Sequence, residues 1–181
     1  MSEHPPPELV GERIRLVAVS EQRVGEVAAA VSVSLPELEQ FMDWAVSHPT
    51  EPEDFADFVA DSVAGWDDGT TYTYTVTDRG SDEVIGGCGL MRRVGPGAIE
   101  IGYWIRSDRA GQGLATEVAL LLTATCRTLD GLQAVILVHD AANAASGRVA
   151  EKAGYAEFDR VTADVTALGG SGIDVYRRLE L

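Results

Sequence analysis

The sequence predicts an α/β fold, with a mixed, mostly antiparallel sheet of about six to seven strands and helices on both faces. Three observations carry this expectation. β-branched and aromatic segments such as Thr71–Thr77 and Ile99–Ile105 are interleaved with segments of helical apolar period. A continuous apolar run, Ala134–Val138, is bounded by polar residues and suits a strand buried on both faces. Finally, Ile99–Ile105 leads through a glycine turn directly into an apolar helix.

Residues 1–12 read as a Pro-rich tail and residues 13–181 as one domain. Arg13–Val17 is the first strand. Ser20 is placed to cap a helix over Glu21–Val31, where Val24, Val27, Ala28 and Val31 recur at helical spacing. A second helix fits Glu53–Trp66, with Phe55, Phe58, Val59, Val63 and Trp66 on one face and Asp54, Asp57 and Asp61 on the other. The segment between these helices, LPELEQFMDWAVSHPTEP, is irregular. Thr71–Thr77 and Val84–Leu90 form antiparallel strands around the turn RGSD, and VGPG turns the chain into Ile99–Ile105. A helix follows over Leu114–Thr128, with Val118, Leu122, Cys126 and Leu129 on one face. After the Ala134–Val138 strand, Asn143–Ala153 is a helix with an Asn cap and Gly154 as its left-handed stop. Strands Tyr155–Val161 and Ile173–Leu179 flank the loop ALGGSG. The order is β–α–α–β–β–β–α–β–α–β–β.

Composition narrows the function. A chain of 181 residues is long enough for one domain that buries about 70% of its unfolded surface. The 45% apolar and 24% charged content is that of a soluble globular protein. No run approaches the ~18 apolar residues of a membrane span. The opening MSEHPPPELVGER lacks the basic and apolar regions of a signal peptide, so the cytoplasm is the expected location. Cys88 and Cys126 are isolated, and His4, His48 and His139 show no ligand spacing, so neither a disulfide framework nor a metal site is expected. The net charge of -15 argues against nucleic acid as a partner. It would repel an anionic cofactor, which backbone dipoles or a few placed Arg residues would then have to hold. It would attract a cationic substrate, or it simply keeps the protein soluble.

The stretch Ile99–Ala115, IEIGYWIRSDRAGQGLA, holds the most specific chemistry. Glycines let backbone N–H groups approach a phosphate, and a helix N-terminus favours negative charge. The segment therefore reads as a pyrophosphate cradle attached to a strand; the alternative is a loop whose glycines only serve packing. GQGLATE lacks the Lys-Ser/Thr of a nucleotide P-loop.

Taken with Asn143–Tyr155, this order resembles the GNAT acyl-CoA N-acyltransferase superfamily. The family's Gln/Arg-x-x-Gly-x-Gly/Ala motif falls on Ala110–Ala115, and Ala110 departs from it at the first position. EIGYWI, GLATE and NAASGRVAEKAGY look like the Rim-type branch, which acetylates N-termini of ribosomal proteins and also contains paralogues acting on small amines. The resemblance covers residues 12–181 and is strongest over 99–158. It implies the GNAT fold, acetyl-CoA as co-substrate, and direct transfer of acetyl to a primary amine, such as the N-terminal amine of a ribosomal or other protein. An acetyltransferase of antibiotic or polyamine amines and a non-catalytic acyl-CoA-binding sensor are the alternatives. Neither nucleic acid nor membrane is an expected partner. A homodimer follows by analogy, although no segment of the sequence marks an interface.

The resemblance also implies roles for residues. Ala110, Gly111, Gln112, Gly113, Leu114, Ala115 and Thr116 would hold the cofactor's pyrophosphate, chiefly through backbone N–H groups. An N–H near Trp104 or Ile105 would stabilise the oxyanion, a contribution of ~3–4 kcal/mol to the barrier. Asn143 would contact the pantetheine arm, and Ser146, one helical turn on, would sit near the thiol. Read from the residues alone, Asn143 is equally a helix cap and Ser146 a surface serine. Many family members carry a tyrosine acid seven residues after the Asn; here that position is Ala150, which leaves Ser146 or water to protonate the thiolate. Tyr155 reads as core.

Glu100 is the candidate base. Ile99, Ile101, Tyr103 and Ile105 alternate onto one face, which places Glu100, Gly102 and Trp104 on the other. A salt-bridged strand Glu is the alternative. An α-amine of pKa ~8 is about one-tenth neutral at pH 7, a penalty of ~1.4 kcal/mol, whereas a lysine amine carries ~4.6, so a modest base suits an α-amine better. Trp44, Phe41 and Met42 either wall the acceptor pocket or belong to the core. Asp43 and Glu39 are placed to attract an amine, and Arg92 and Arg93 read as solvated turn residues.

Overall fold

A computed structural model describes residues 3–181; the first two residues of the expected 1–12 tail lie outside the described residues. The elements in chain order are β1 (Glu8–Val10), β2 (Ile14–Ala18), α1 (Val24–Leu38), α2 (Ala56–Asp68), β3 (Thr71–Asp78), β4 (Val84–Met91), β5 (Ala98–Ile105), α3 (Leu114–Cys126), β6 (Ala134–Asp140), α4 (Ala144–Lys152), β7 (Ala156–Thr162) and β8 (Ile173–Glu180). They build one eight-stranded sheet in the order β1-β2-β3-β4-β5-β6-β8-β7. Every neighbouring pair is antiparallel except β5–β6.

Eight strands replace the six to seven expected, because Glu8–Val10, inside the expected tail, pairs with Val17–Arg15 of β2. Leu9 buries its side chain there, which gives a three-residue strand a reason to order. Other boundaries shift by one to three residues, with one large exception. The first helix does not end at Val31. A short 3-10 turn over Glu21–Arg23 leads into α1, which continues to Leu38 through Pro36. A proline near the helix end removes only one late N–H, and burial of Ser34 and Leu38 holds the added turns against the sheet.

The second helix also turns differently from expectation. Its buried stripe is Phe55, Val59, Ser62 and Gly65, with Trp66 packed edge-on against Tyr72 and Tyr74. Phe58 and Val63, expected on that face, are 45% and 47% exposed. In α3 the expected face is correct: Val118, Leu122, Cys126 and Leu129 are all buried.

Two apolar clusters sit on opposite faces of the sheet. The larger joins β2–β6 to α3 and α4 through Leu16, Tyr74, Leu90, Ile99, Ile101, Leu122 and Ala150. The smaller gathers Ala28, Val31 and Leu38 of α1 with Ala45 and Phe55, and Trp104 of β5 packs against it. Strand β5 is therefore covered on both sides, and its alternation decides what each side receives.

Candidate active site

The site begins with a break in the sheet. Strands β5 and β6 pair only from Ala98↔Ala134 to Ile101↔Leu137. On its other edge β5 stays paired with β4 as far as Ile105↔Gly86, and β6 stays paired with β8 as far as Asp140↔Asp174. Residues 102–105 and 138–140 therefore face each other unpaired, and backbone groups within the sheet are left free for a ligand. Trp104 and Ile105, the expected source of the oxyanion donor, lie in this parted stretch.

The cradle follows β5 directly. A 3-10 turn over Ser107–Arg109 is pinned to α1, where the Ser107 N–H donates to Ser34 Oγ (2.9 Å). Arg106 pairs with Asp108 and Glu83 at the same corner. Ala110 is extended and exposed. Gly111 and Gly113 take φ of 74° and 80°, the left-handed region that favours glycine. A Cβ on Gly111 would meet no atom within 4 Å, so that side of the loop is open space. Gly113 is also the N-cap of α3, and no side chain caps the helix there. The first N–H groups of α3 have no partner within the helix, and its dipole adds positive potential.

Arg13, between β1 and β2, closes the cradle from behind. Its Nη1 donates to the Gln112 carbonyl (2.8 Å) and its Nε to Glu117 Oε2 (2.9 Å), while its own N–H donates to Glu117 Oε1 (2.8 Å). A guanidinium thus stands beside the loop, although Ala110 supplies no cation at the first motif position. Ala110, Gly111, Gln112 and Gly113 are exposed, Ala115 and Thr116 partly so, and Leu114 is buried in the core. An open, uncapped helix start behind two left-handed glycines fits the diphosphate of a coenzyme A thioester.

On the α3–α4 side of the split, Asn143 caps α4, its Oδ1 accepting the Ser146 N–H at 3.0 Å. This cap directs Ser146 to Tyr103 of β5, whose hydroxyl lies 3.0 Å from Ser146 Oγ. Burial pushes the Tyr103 phenol up to about 12, with the Ser146 bond acting in the opposite direction. It therefore stays protonated and can donate. Ala150 is fully buried, and Tyr155 is core: its hydroxyl is 2.5 Å from Thr123 Oγ1, deep under α3.

The other face carries a cavity of about 440 Å³ lined by Phe41, Asp43, Glu100, Asp140, Asp174 and Tyr176 among others. Glu100 is 6% exposed, and both of its oxygens are engaged by Arg93, Nε to Oε2 at 2.9 Å and Nη2 to Oε1 at 2.5 Å. Arg93 is exposed, as expected of a turn residue, and from there reaches back over the strand to make this pair. Asp140 accepts the Ala142 N–H at 2.7 Å and the Ser171 N–H at 2.8 Å. Burial raises its pKa, but these bonds outweigh burial and hold the carboxyl below its ordinary value. Asp174 is the reverse: burial, then the Asp140 and Glu100 charges, raise its pKa. Behind them His139 is held through both ring nitrogens. Its Nε2 accepts from Arg177 Nε (3.2 Å), so Nδ1 carries the proton donated to the Asp140 carbonyl (2.8 Å).

The two faces meet at the split, where Trp104, Ile105, Ser146 and the strand bearing Glu100 come together. Of the suspected pocket wall, Phe41 lines the cavity, Trp44 sits 6.2 Å from the Trp104 ring centroid, and Met42 packs into the smaller core cluster. Sequence reasoning missed Tyr103 and Asp174. A buried tyrosine on a strand generally finds a partner for its hydroxyl, which was a signal for the first; nothing local marked the second.

Residues 13–156 match the family model described as "Acetyltransferase (GNAT) domain". No curated protein sequence matches the chain. Among solved structures, RimL, a ribosomal-protein alpha-N-acetyltransferase in complex with coenzyme A, is similar with a TM-score of 0.85 at 19% identity, covering 96% of this chain and 98% of that one. RimJ of Mycobacterium smegmatis, in complex with a CoA disulfide, gives 0.85 at 19% identity over 98% and 90%. The microcin self-immunity acetyltransferase MccE, in complex with acetyl-CoA and AMP, gives 0.84 at 13% identity over 94% and 93%. At these identities the likeness is one of fold.

Proposed function

The chain belongs to the GNAT acetyltransferase family, and from that premise we propose that it transfers acetyl from acetyl-CoA directly to a cationic primary amine, the N-terminal amine of a protein foremost. One observation carries the reading. The parted β5–β6 edge has a hydroxyl pair, Tyr103 and Ser146, on one side and a carboxylate-lined cavity on the other. Donor and acceptor can therefore approach from opposite faces and react in one ternary complex.

Acetyl-CoA supplies the acyl group and, as a thioester, a leaving thiol of pKa ~8.5. The N–H groups of Gly111 to Thr116 hold the diphosphate, and the guanidinium of Arg13 keeps the loop in shape. A free N–H at Trp104 or Ile105 donates to the carbonyl oxygen as charge develops there. Ser146 donates a proton towards sulfur and is resupplied by Tyr103, in place of the tyrosine absent at Ala150. Asn143 serves as the cap that aims Ser146.

The acidic cavity favours a cation, and the protonation arithmetic favours an α-amine over a lysine. The expected homodimer rests on the family resemblance, and the cytoplasmic location on the sequence pattern; no helix among the described residues is long and apolar enough to cross a membrane.

An acceptor panel tests the reading. Acetyl-CoA is mixed with a seryl tetrapeptide amide, an N-acetylated peptide bearing an internal lysine, or 1,4-diaminobutane, and thiol release is followed with DTNB. Fastest release with the free N-terminus is expected. Preference for the diamine would make the protein a small-amine acetyltransferase, and cofactor binding with no release from any acceptor would make it a sensor.

A further inference from the structure

A carboxylate that accepts a proton from the acceptor ammonium has to be free, and most of those in the cavity are not. Glu100 spends both oxygens on Arg93. Asp140 spends its two on the Ala142 and Ser171 N–H groups, where it ties the start of the β6–α4 turn to the β7–β8 loop. Asp43 accepts the Trp44 N–H at 2.8 Å. Asp164 stands on an exposed loop. Asp174 differs from all of these. It lies on β8 directly across from Asp140, at the last paired position of β6 and β8 and alongside the stretch where β6 has parted from β5, and it is only partly exposed. No hydrogen bond or ion pair engages its carboxylate among the described residues.

We infer that Asp174 is the proton acceptor for the substrate amine. This rests on the acetyl-transfer reading above and replaces Glu100 in the role expected from the strand pattern. The charge balance is simple. The acceptor arrives as an ammonium with three protons on nitrogen. One passes to the Asp174 carboxylate, directly or through one water, and is released to solvent. The freed lone pair forms the N–C bond to the acetyl carbon. As the C–S bond breaks, sulfur takes a proton from Ser146, and the second proton leaving nitrogen replenishes the Ser146–Tyr103 pair. The products are the amide, the thiol and one proton in solution.

Asp174 is placed on a strand rather than a loop, which holds a catalytic group more closely in position. The groups that face it are Asp140 and His139 of β6, Glu100 with its partner Arg93, and Asp43 and Asp164 across the cavity. The two ring nitrogens of His139 are taken by Arg177 Nε and the Asp140 carbonyl, so neither is bonded to Asp174. Burial beside the Asp140 and Glu100 charges makes it a better base than an exposed aspartate.

The test uses the full chain and the seryl tetrapeptide amide, at saturating acetyl-CoA, over pH 6 to 10. Wild type is compared with Asp174→Asn, Asp174→Glu and Asp164→Asn, and Asp174→Ser stands in should the Asn variant not fold. The inference expects Asp174→Asn to lower kcat/KM by about 100-fold at pH 7, the usual scale of general-base catalysis. The deficit should close as pH rises past the pKa of the amine, which then arrives neutral. Asp174→Glu should recover part of the loss, and calorimetric affinity for acetyl-CoA should be unchanged within about twofold. A loss of the same size at every pH would make Asp174 a structural or docking residue and overturn the inference. So would a loss under about threefold, or the pH-dependent deficit appearing in Asp164→Asn instead. Wild type that binds acetyl-CoA but releases no thiol with peptide or diamine would overturn the acetyl-transfer reading itself, and the inference with it.

Discussion

The hydroxyls of Tyr103 and Ser146 lie 3.0 Å apart across the parted strands, one from β5 and one from the first turn of α4. They join the strand that would hold the oxyanion to the helix that would sit near the sulfur. Because the Ser146 backbone N–H, not its side chain, completes the Asn143 cap, Ser146→Ala leaves the helix start intact. It should lower kcat by about 100-fold, within the usual range for loss of a general acid. Tyr103→Phe should cost roughly 10-fold, and the double variant little more than Ser146→Ala alone, since groups acting as a unit are not additive. Steady-state kinetics beside acetyl-CoA calorimetry checks this, and full additivity would separate the two hydroxyls.

The cradle depends on backbone shape. Gly113→Ala forces a Cβ into φ of 80° at the N-cap of α3, a strain of about 1–2 kcal/mol. CoA affinity should fall by roughly tenfold if the loop relaxes away from that geometry. Gly111→Ala meets the same φ penalty with no clash, because nothing lies within 4 Å of its added Cβ. Isothermal titration with CoA reads both.

Ala150 occupies the position where many relatives carry a tyrosine acid, and it has no accessible surface. Ala150→Tyr should therefore not restore an acid. It overpacks the core between α4 and the sheet, costs about 1–3 kcal/mol, and lowers Tm by several degrees without raising kcat.

Asp174 carries a stability signature as well. Its folded pKa is raised above the unfolded value by burial and then by the neighbouring Asp140 and Glu100 charges. An acid of this kind loses stability as pH rises from its unfolded to its folded pKa, where the unfolded state ionises and the native state does not, and the full cost stands above the folded pKa. Below the unfolded value near ~3.9 both states are protonated and the cost vanishes. Asp174→Asn should therefore raise Tm at pH 7 relative to wild type, and the gain should shrink to nothing as pH falls through that window. Thermal melts at pH 7 and pH 3 read the difference.

The parts of the fold legible in the sequence were those whose local pattern is also their tertiary environment. Ile99–Ile105, the two glycines and the apolar face of α3 lie within one short stretch, so alternation and turn chemistry were enough. Asn143 is likewise a cap by local chemistry. The misread parts depend on distant partners. Glu8–Val10 is a strand only because β2 lies beside it, and α1 continues through Pro36 because Ser34 and Leu38 find the sheet. Arg93 is solvated as it looked, but its pairing with Glu100, seven residues on and across a turn, was not legible. Asp174 became a candidate only when the sheet register set it opposite Asp140 and the other carboxylates proved to be engaged.

The central claim is that this split and cradle hold an acyl-CoA, with its diphosphate on the N–H groups of Gly111 to Thr116. Calorimetric titration of the full chain with acetyl-CoA, and separately with S-acetylpantetheine, which lacks the diphosphate, tests it most directly. The account predicts binding of acetyl-CoA with Kd on the order of micromolar, and at least about 100-fold weaker binding of the truncated thioester. No measurable binding of acetyl-CoA, or equal affinity for the two, would contradict it.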